Sequence, residues 1–151
     1  MRFLADTNVL VYRHDPRDPR KQATARDLLR EGVATGEAVL SHQALVEFVA
    51  ATTRPLGPKG ASLLRPEEAR REAEEMFDMF EVLYPTAATF RLALRGMATY
   101  GLSWFDAHMW AYAEHFGVPE IATEDFQHGR RYGTVRVVNP FLDAPIKKNE
   151  K

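Results

Sequence analysis

The amino-acid sequence predicts a three-layer α/β/α sandwich around a mostly parallel sheet of four to five short strands. Short β-prone segments alternate with amphipathic helical segments, which is typical of a parallel sheet covered by helices on both faces. The chain has 151 residues, of which 45% are hydrophobic and 27% charged, as in one ordinary globular domain. Because no repeat or linker divides it, we expect one domain over residues 1–142 and a polar C-terminal tail over residues 143–151.

The first half of the chain predicts two β-to-α units. In each unit a short apolar run, typical of a buried strand, precedes a helix with an identifiable start. Asp18 can cap one helix and Ser41 the other, because their side chains accept hydrogen bonds from free amides at a helix N-terminus. The expected elements are strands at residues 2–6 and 38–41, a short helix or turn after Asp6, and helices that end near residues 34 and 54.

The second half of the chain predicts three more helices and three more strands. Residues 55–65 carry prolines and glycines and should form a surface loop. Gly101 and Gly117 each follow an amphipathic run, as glycines commonly do at helix C-termini. The expected helices lie at residues 66–80, 86–100 and 103–116, and the expected strands at residues 81–85, 118–123 and 134–141.

The composition excludes several classes of function. The chain contains no cysteine, which rules out disulfides, zinc-thiolate sites, iron–sulfur clusters and thiol nucleophiles. Its net charge of −1 means that binding to nucleic acid cannot depend on global positive charge. No apolar run approaches the roughly 20 residues of a membrane-spanning helix, and Asp6 falls too early for a signal peptide. We therefore expect a cytoplasmic protein that does not contact membranes.

Acidic side chains follow the predicted strands at the edge of the sheet where parallel strands end. Asp6 ends the first strand, Glu47 lies in the second turn of the helix after the second strand, and Asp106 lies in the first turn of a later helix. Glu124 and Asp125 follow the fourth strand. In parallel sheets, ligands bind outside this carboxyl edge.

Most of these acids also fit a purely structural role. Asp6 can cap the turn that follows it, and Asp106 can close a capping box with Ser103. The acids at residues 124–125 suit the positive end of a helix. Glu47 lies too far into its helix to cap it, so its structural alternative is a plain solvated residue.

Several carboxylates at one edge favour a bound cation, because the carboxylates repel one another. Two carboxylates about 4 Å apart repel by about 4 kcal/mol at an effective dielectric constant of about 20. Oxygen ligands in this number fit one or two ions of Mg²⁺ or Mn²⁺. Such ions polarise a phosphodiester and activate a water molecule for in-line attack. The predicted reaction is therefore hydrolysis of a phosphodiester bond.

The acidic residues lie in four short motifs. These are DTNVL from Asp6, SHQALVEF with Glu47, SWFDAHMWAYA with Asp106, and TEDF after the fourth strand. Together they resemble the motifs of the PIN-domain ribonucleases, in particular the VapC-like toxins of type II toxin–antitoxin systems. The resemblance extends over essentially the whole chain. It implies a divalent-metal-dependent endoribonuclease that forms homodimers and is held by a small antitoxin protein.

The resemblance also implies roles for single residues. Because Glu124 lies beside Asp125, the identity of the fourth acid stays open between these two. The implied catalytic and metal-binding residues are Asp6, Glu47, Asp106 and Asp125, with Asn8 and Thr123 as supporting polar groups.

Basic residues flank the predicted acidic edge and are candidates for contacts with RNA phosphates. Each of them also fits an ordinary solvated face. His42 and His128 lie near the same edge and could touch substrate. The aromatic residues between 104 and 116 fit buried packing better than a base-stacking platform, because their spacing is helical. The basic candidates are Arg13, Arg17, Arg54, Arg130 and Arg131, together with Arg20, Lys21 and Lys59.

The region from residue 63 to 100 carries more apolar residues than one core-facing stripe needs. We expect the excess to form the surface for a homodimer and for the antitoxin, the alternative being a helix packed on both sides within the monomer. The alternative function is a catalytically weak PIN-like module that binds RNA or protein. The apolar residues in question are Met76, Phe77, Met79, Phe80, Phe90, Leu92, Leu94 and Met97.

Overall fold

The computed structural model describes residues 1–142, in which six strands alternate with six helices. Every predicted strand and helix is present, and the segment after Asp6 is a short helix. The predicted tail at residues 143–151 lies outside the described residues. The elements are β1 (Phe3–Ala5), α1 (Thr7–Tyr12), α2 (Pro19–Thr35), β2 (Ala38–Ser41), α3 (His42–Thr53), α4 (Pro66–Met79), β3 (Glu81–Leu83), α5 (Ala87–Tyr100), α6 (Trp104–Phe116), β4 (Glu120–Ala122), β5 (Arg131–Tyr132) and β6 (Val135–Val138).

The strands form one sheet in the order β3-β2-β1-β4-β6-β5, and only the pair of β5 and β6 is antiparallel. From β1 the chain moves outward through β2 to β3 and then returns to β4 on the other side of β1. Right-handed crossovers therefore place α1 to α4 on one face and α5 and α6 on the other. The contacts agree, since α3 touches α1 and α4, whereas α5 touches α6. The predicted α/β/α sandwich is confirmed, with β5 as an additional sixth strand.

Local sequence determines where the helices begin and end. Ser41 Oγ accepts a hydrogen bond from the Ala44 amide at 3.0 Å, and Asp18 Oδ1 accepts one from the Lys21 amide at 3.1 Å. Gly101 ends α5 with a φ of 65°, a left-handed conformation that side chains rarely adopt. These caps confirm the predicted helix boundaries.

The aromatic run of α6 is buried except at its start. Met109, Trp110 and Tyr112 belong to the core, as predicted. Phe105, however, is 66% exposed, so the prediction of buried packing is wrong for this residue. The physical reason is its place on the helix: Trp104 in the same turn packs against the core, whereas the ring of Phe105 faces solvent.

The apolar excess predicted on α4 and α5 is divided between core and surface. Met76 and Phe80 are buried and Leu92 packs against the core, so these three belong to the monomer. The others remain exposed, and they lie on two helices with different partners, because α4 contacts α3 while α5 contacts α6. The exposed set, with 37–55% of each residue accessible, is Phe77, Met79, Phe90, Leu94 and Met97.

None of the helices within residues 1–142 is long and apolar enough to cross a bilayer.

Candidate active site

Asp6 is a buried carboxyl group at the end of β1, where only 5% of the residue is exposed. Its Oδ1 accepts a hydrogen bond from the Thr7 amide at 2.7 Å, which confirms the predicted cap of α1, and its Oδ2 accepts one from Thr123 Oγ1 at 2.7 Å. Burial raises the pKa of Asp6 to about 7, and the charges of Asp125 and Asp106 act in the same direction. The capping role and a role in a charged cluster are thus compatible.

Asp106 lies in the first turn of α6 and is half-buried. Burial raises the pKa of its carboxyl, the charges of Asp125 and Glu47 raise this pKa further, and a hydrogen bond with Ser103 opposes the shift. The Asp106 amide donates to Ser103 Oγ at 3.2 Å, so Ser103 caps the helix as predicted. The carboxylates of Asp6, Asp106, Asp125 and Glu47 therefore act on one another through their charges.

Glu47 is held by two hydrogen bonds in which both of its carboxylate oxygens accept. Thr7 Oγ1 donates to Oε2 at 2.6 Å, and Gln43 Nε2 donates to Oε1 at 2.9 Å. The alternative of a plain solvated residue is therefore wrong. Neither donor, Thr7 nor Gln43, was predicted from the sequence. Gln43 could have been found, because it lies four residues before Glu47 on the same helix face, whereas the Thr7 contact depends on the packing of α1 against α3.

The two acids after β4 have different surroundings. Glu124 is occupied elsewhere, because Lys21 Nζ lies 2.8 Å from its Oε2 and Tyr12 Oη donates to its Oε1 at 2.5 Å. Asp125 accepts a hydrogen bond from Asn8 Nδ2 at 3.1 Å. Residues 124–126 form a bend, so the alternative that these acids begin a helix is wrong. The geometry favours Asp125 over Glu124 as the fourth acid of the cluster.

Asn8 connects the first and last motifs. Its Nδ2 donates to Thr123 Oγ1 and to Asp125 Oδ2, both at 3.1 Å. Its Oδ1 is buried and has no hydrogen-bond partner within residues 1–142. Leaving a buried acceptor unpaired costs about 1–3 kcal/mol, so this oxygen is suited to a ligand, a water molecule or an ion.

The donor set fits a hard cation without already enclosing one. No group of three or more histidine, aspartate or glutamate side chains in the described part of the chain has the geometry of a ready metal cage. Mg²⁺ does not need such a cage, because it usually keeps several waters and is held by one or two carboxylates. Carboxylate and amide oxygens are also the ligands that Mg²⁺ and Mn²⁺ prefer. The residues present therefore fit a hydrated divalent ion.

Three of the basic candidates are engaged in ion pairs and are less available to RNA than the sequence analysis expected. Arg13 is also partly buried, and this burial lowers the pKa of its guanidinium. The ion pairs are Arg13 with Glu72 at 3.9 Å, Arg17 with Asp15 at 2.8 Å and Lys21 with Glu124 at 2.8 Å.

Three further basic candidates, Arg54, Arg130 and Arg131, have different surroundings. Arg54 is exposed and lines a cavity of about 340 Å³ together with Thr7 and Glu47. The guanidinium of Arg130 lies over the ring of Tyr132, 4.4 Å from its centroid. Arg131 belongs to β5 at the edge of the sheet. Of these three, Arg54 is therefore the candidate that the structure brings to the acidic edge.

The two candidate histidines have protein partners. The ring of His42 packs against Tyr84 with 5.4 Å between centroids, and His42 lines a cavity that also reaches Glu47. His128 Nδ1 accepts a hydrogen bond from the Asn139 amide at 3.0 Å. His42 is therefore the better placed of the two for contact with a substrate.

Comparisons with known proteins agree with this fold and site. A family model for the PIN domain matches residues 3–133. Similar solved structures include FitAcB from Neisseria gonorrhoeae, with a TM-score of 0.63 and 20% identity over 92% of this chain and 98% of that one. A toxin–antitoxin complex from Klebsiella pneumoniae has a TM-score of 0.65 and 16% identity over 91% of this chain and 97% of that one.

A third similar structure is VapC20 of Mycobacterium tuberculosis, described as a sarcin–ricin loop cleaving toxin. Its TM-score is 0.62, with 18% identity over 82% of this chain and 89% of that one. At these identities the likeness shows a shared fold. A comparison with curated proteins finds no match. The match of the family model over most of the sequence identifies the chain as a member of the PIN domain family.

Proposed function

We propose that this protein is a divalent-metal-dependent endoribonuclease and the toxin of a toxin–antitoxin pair. The observation that carries the proposal is the group of carboxylates at the carboxyl edge of the sheet. Thr7 donates hydrogen bonds to both Asp6 and Glu47. Thr123 donates to Asp6, and Asn8, whose Oδ1 is unpaired, donates to both Thr123 and Asp125. Membership of the PIN domain family supports a nuclease. We further propose that the substrate is RNA and that cleavage depends on a metal ion.

The side chains of Asp6, Glu47, Asp106 and Asp125 would hold one or two ions of Mg²⁺ or Mn²⁺. A bound ion supplies Lewis-acid polarisation of the phosphodiester and activation of water. The chain orients the acids through Thr7, which donates from its amide to Asp6 and from its hydroxyl to Glu47. On the other side of the site, Thr123 donates to Asp6. These bonds hold the carboxylates in place, so that less ordering is needed when an ion binds.

The proposed partners are an RNA substrate in the cytoplasm, a small antitoxin protein and a second copy of the chain. The toxin–antitoxin complex from Klebsiella pneumoniae and the RNA-cleaving VapC20 have the same fold, which supports the first two. The homodimer is supported by exposed apolar residues of α4 and α5, namely Phe77, Met79, Leu94 and Met97.

A test of the proposal is cleavage of a mixed RNA pool by the purified protein with Mg²⁺, with Mn²⁺ and with excess chelator. We expect cleavage with metal and none with chelator. Asp6→Asn should abolish cleavage without unfolding the protein, because relief of a buried charge offsets the hydrogen bond that the amide cannot accept. The matched control is Asp27→Asn, which removes an exposed carboxylate on α2 and should cleave normally.

Thermal unfolding tests metal binding at the same site by a second measurement. A metal that binds the native state should raise the melting temperature of the wild type and of Asp27→Asn but not of Asp6→Asn. Cleavage by Asp6→Asn, or in excess chelator, would overturn the proposed mechanism. Because no ready metal cage is present within residues 1–142, the catalytically weak module that binds RNA or protein is the second candidate. RNA binding by the wild type without any cleavage would favour that candidate.

A further inference from the structure

Phe105 is the most exposed aromatic side chain within residues 1–142, at 66%, and it directly precedes Asp106. An apolar ring left in water loses the free energy that burial would provide, so its position beside the proposed site calls for an explanation. Packing within the monomer does not explain the position of the ring, because Phe105 lies outside the core.

Two cavities adjoin this ring. The first has a volume of about 360 Å³ and the second a volume of about 340 Å³. Phe105 and Glu47 line both cavities, so the ring and a proposed metal ligand belong to the walls of both. A molecule that enters either cavity therefore meets the phenyl ring and the Glu47 carboxylate.

The walls of the two cavities differ in chemistry. The first contains the rings of Phe90, Trp104 and His108, whose centroids lie 4.2–5.8 Å apart, with the polar side chain of Gln43 nearby. Such walls fit a flat aromatic ring with a polar edge. The second contains Arg54, whose guanidinium suits a phosphate group.

We propose that Phe105 is a stacking platform for single-stranded RNA, on which bases next to the cleaved phosphate lie in the two flanking cavities. The inference rests on the proposed nuclease function and adds the way in which substrate is held. Bases in a duplex are paired and stacked on each other, so only unpaired bases can enter these cavities. Arg54 contacts a phosphate in the second cavity.

A nucleotide fits this surface better than an apolar protein partner does. Glu47 lies on the boundary of both cavities and Asp106 adjoins the exposed ring. A protein surface that covered Phe105 closely would bury these carboxylates, which is costly unless they are paired. An RNA strand can cover the ring with a base while its phosphate faces the metal-binding side chains.

The first experiment measures RNA affinity in the Asp6→Asn background, which should not cleave. The probe is a short random-sequence single-stranded RNA followed by fluorescence anisotropy. We expect Phe105→Ala to weaken binding by about 5- to 150-fold, the range for losing one base–aromatic stack, and Phe105→Trp to retain it. The control is Leu142→Ala, which removes an exposed apolar side chain that lines neither cavity and lies outside α4 and α5, and it should leave the affinity unchanged.

The second experiment tests whether the ring acts on a base. Once the preferred cut site is mapped with the wild type, each base next to it is replaced in turn by an abasic residue. At the stacked position this replacement should raise KM about as much as Phe105→Ala does, and combining the two changes should add little. Additive effects at every position would overturn the stacking role.

The remaining outcomes separate this inference from the proposed function. If the wild type cleaves RNA and Phe105→Ala binds and cleaves equally well, the stacking platform is overturned and the nuclease stands. If the wild type neither binds nor cleaves RNA, both the stacking platform and the nuclease function are contradicted. If Phe105→Ala changes the mass of the particle in light scattering, the ring belongs to a contact between copies and the inference is overturned.

Discussion

His14 shows how burial at a single residue makes stability depend on pH. Its ring is largely buried beside Phe48, and its Nε2 accepts a hydrogen bond from Arg13 Nε at 3.4 Å. Burial, assisted by the charge of Arg13, lowers the pKa of His14 to about 4, although Glu68 and Glu75 oppose the shift. Glu72 lies 3.7 Å from Nε2 and also favours the charged ring, but it does not prevent the shift. The imidazole is therefore neutral in the folded protein.

The sign of the pH effect follows from the lowered pKa. Between about pH 6.5 and about pH 4 the unfolded chain binds a proton at His14 that the folded chain does not, so stability falls as pH falls. From about pH 7 to about pH 5 this contribution amounts to about 2 kcal/mol. We expect His14→Gln to lose correspondingly less stability than the wild type when urea unfolding is compared at these two pH values.

A control separates this effect from the titration of other groups. His115→Gln changes an exposed histidine at the far end of α6 and should follow the wild type at both pH values. Equal pH dependence of the wild type and His14→Gln would mean that His14 titrates alike in the folded and unfolded states.

The sequence predicts single site residues where local position determines them. Asp6 was identifiable because it directly ends a strand whose carboxyl edge must face the site. The choice between Glu124 and Asp125 was not, because it depends on Lys21, 103 positions away in the chain, and on Tyr12. Local sequence contains no information about such a contact.

At the scale of elements, α5 and α6 are held together by a close approach at Gly96. A Cβ atom added at Gly96 would lie 2.7 Å from Cε3 and Cζ3 of Trp110. The indole cannot easily move away, because its Nε1 donates to the Tyr132 carbonyl at 2.8 Å and Tyr100 packs against its ring. A glycine within this helix therefore allows two helices to pack closely.

We expect Gly96→Ala to destabilise the protein by about 1–3 kcal/mol through overpacking, although alanine favours a helix by about 1 kcal/mol over glycine. The measurement is the free energy of urea unfolding. Thr99→Ala, at an exposed position of the same helix, is the control and should change this free energy by less than about 0.5 kcal/mol. A gain in stability for Gly96→Ala would show that the Trp110 side chain can move aside to make room for the added methyl group.

Elements were predictable where caps and periodicity are local. The starts of α2 and α3 follow from Asp18 and Ser41, whose capping bonds are present. Strand β5 escaped prediction because it has two residues and exists only through its pairing with β6. The exposure of Phe105 also escaped prediction, since helical spacing does not say which side chains of a helix other elements cover.

At the scale of the whole molecule, the alternation of strands and helices was enough to predict the three layers. It did not predict the strand order, because alternation leaves open on which side of β1 each strand adds. The order matters for the site, since it places the carboxyl ends of β1 and β4 side by side and so brings Asp6 near Asp125.

The exposed apolar residues of α4 and α5 lead to the prediction of a homodimer. Met79 and Leu94 are about half exposed, and burial between two chains would remove them from water. We expect a particle of two chains in light scattering at micromolar concentration. Met79→Glu or Leu94→Glu should shift it to one chain, because a carboxylate buried in an apolar contact lacks a partner.

The two variants distinguish between the helix pairs, since α4 contacts α3 and α5 contacts α6. Dissociation by Met79→Glu alone would place the contact on α4, and dissociation by Leu94→Glu alone would place it on α5. Ala34→Glu adds the same charge at an exposed position of α2 and should leave the dimer intact. A wild-type particle with the mass of one chain would contradict the dimer, and a dimer that survives both variants would contradict this surface.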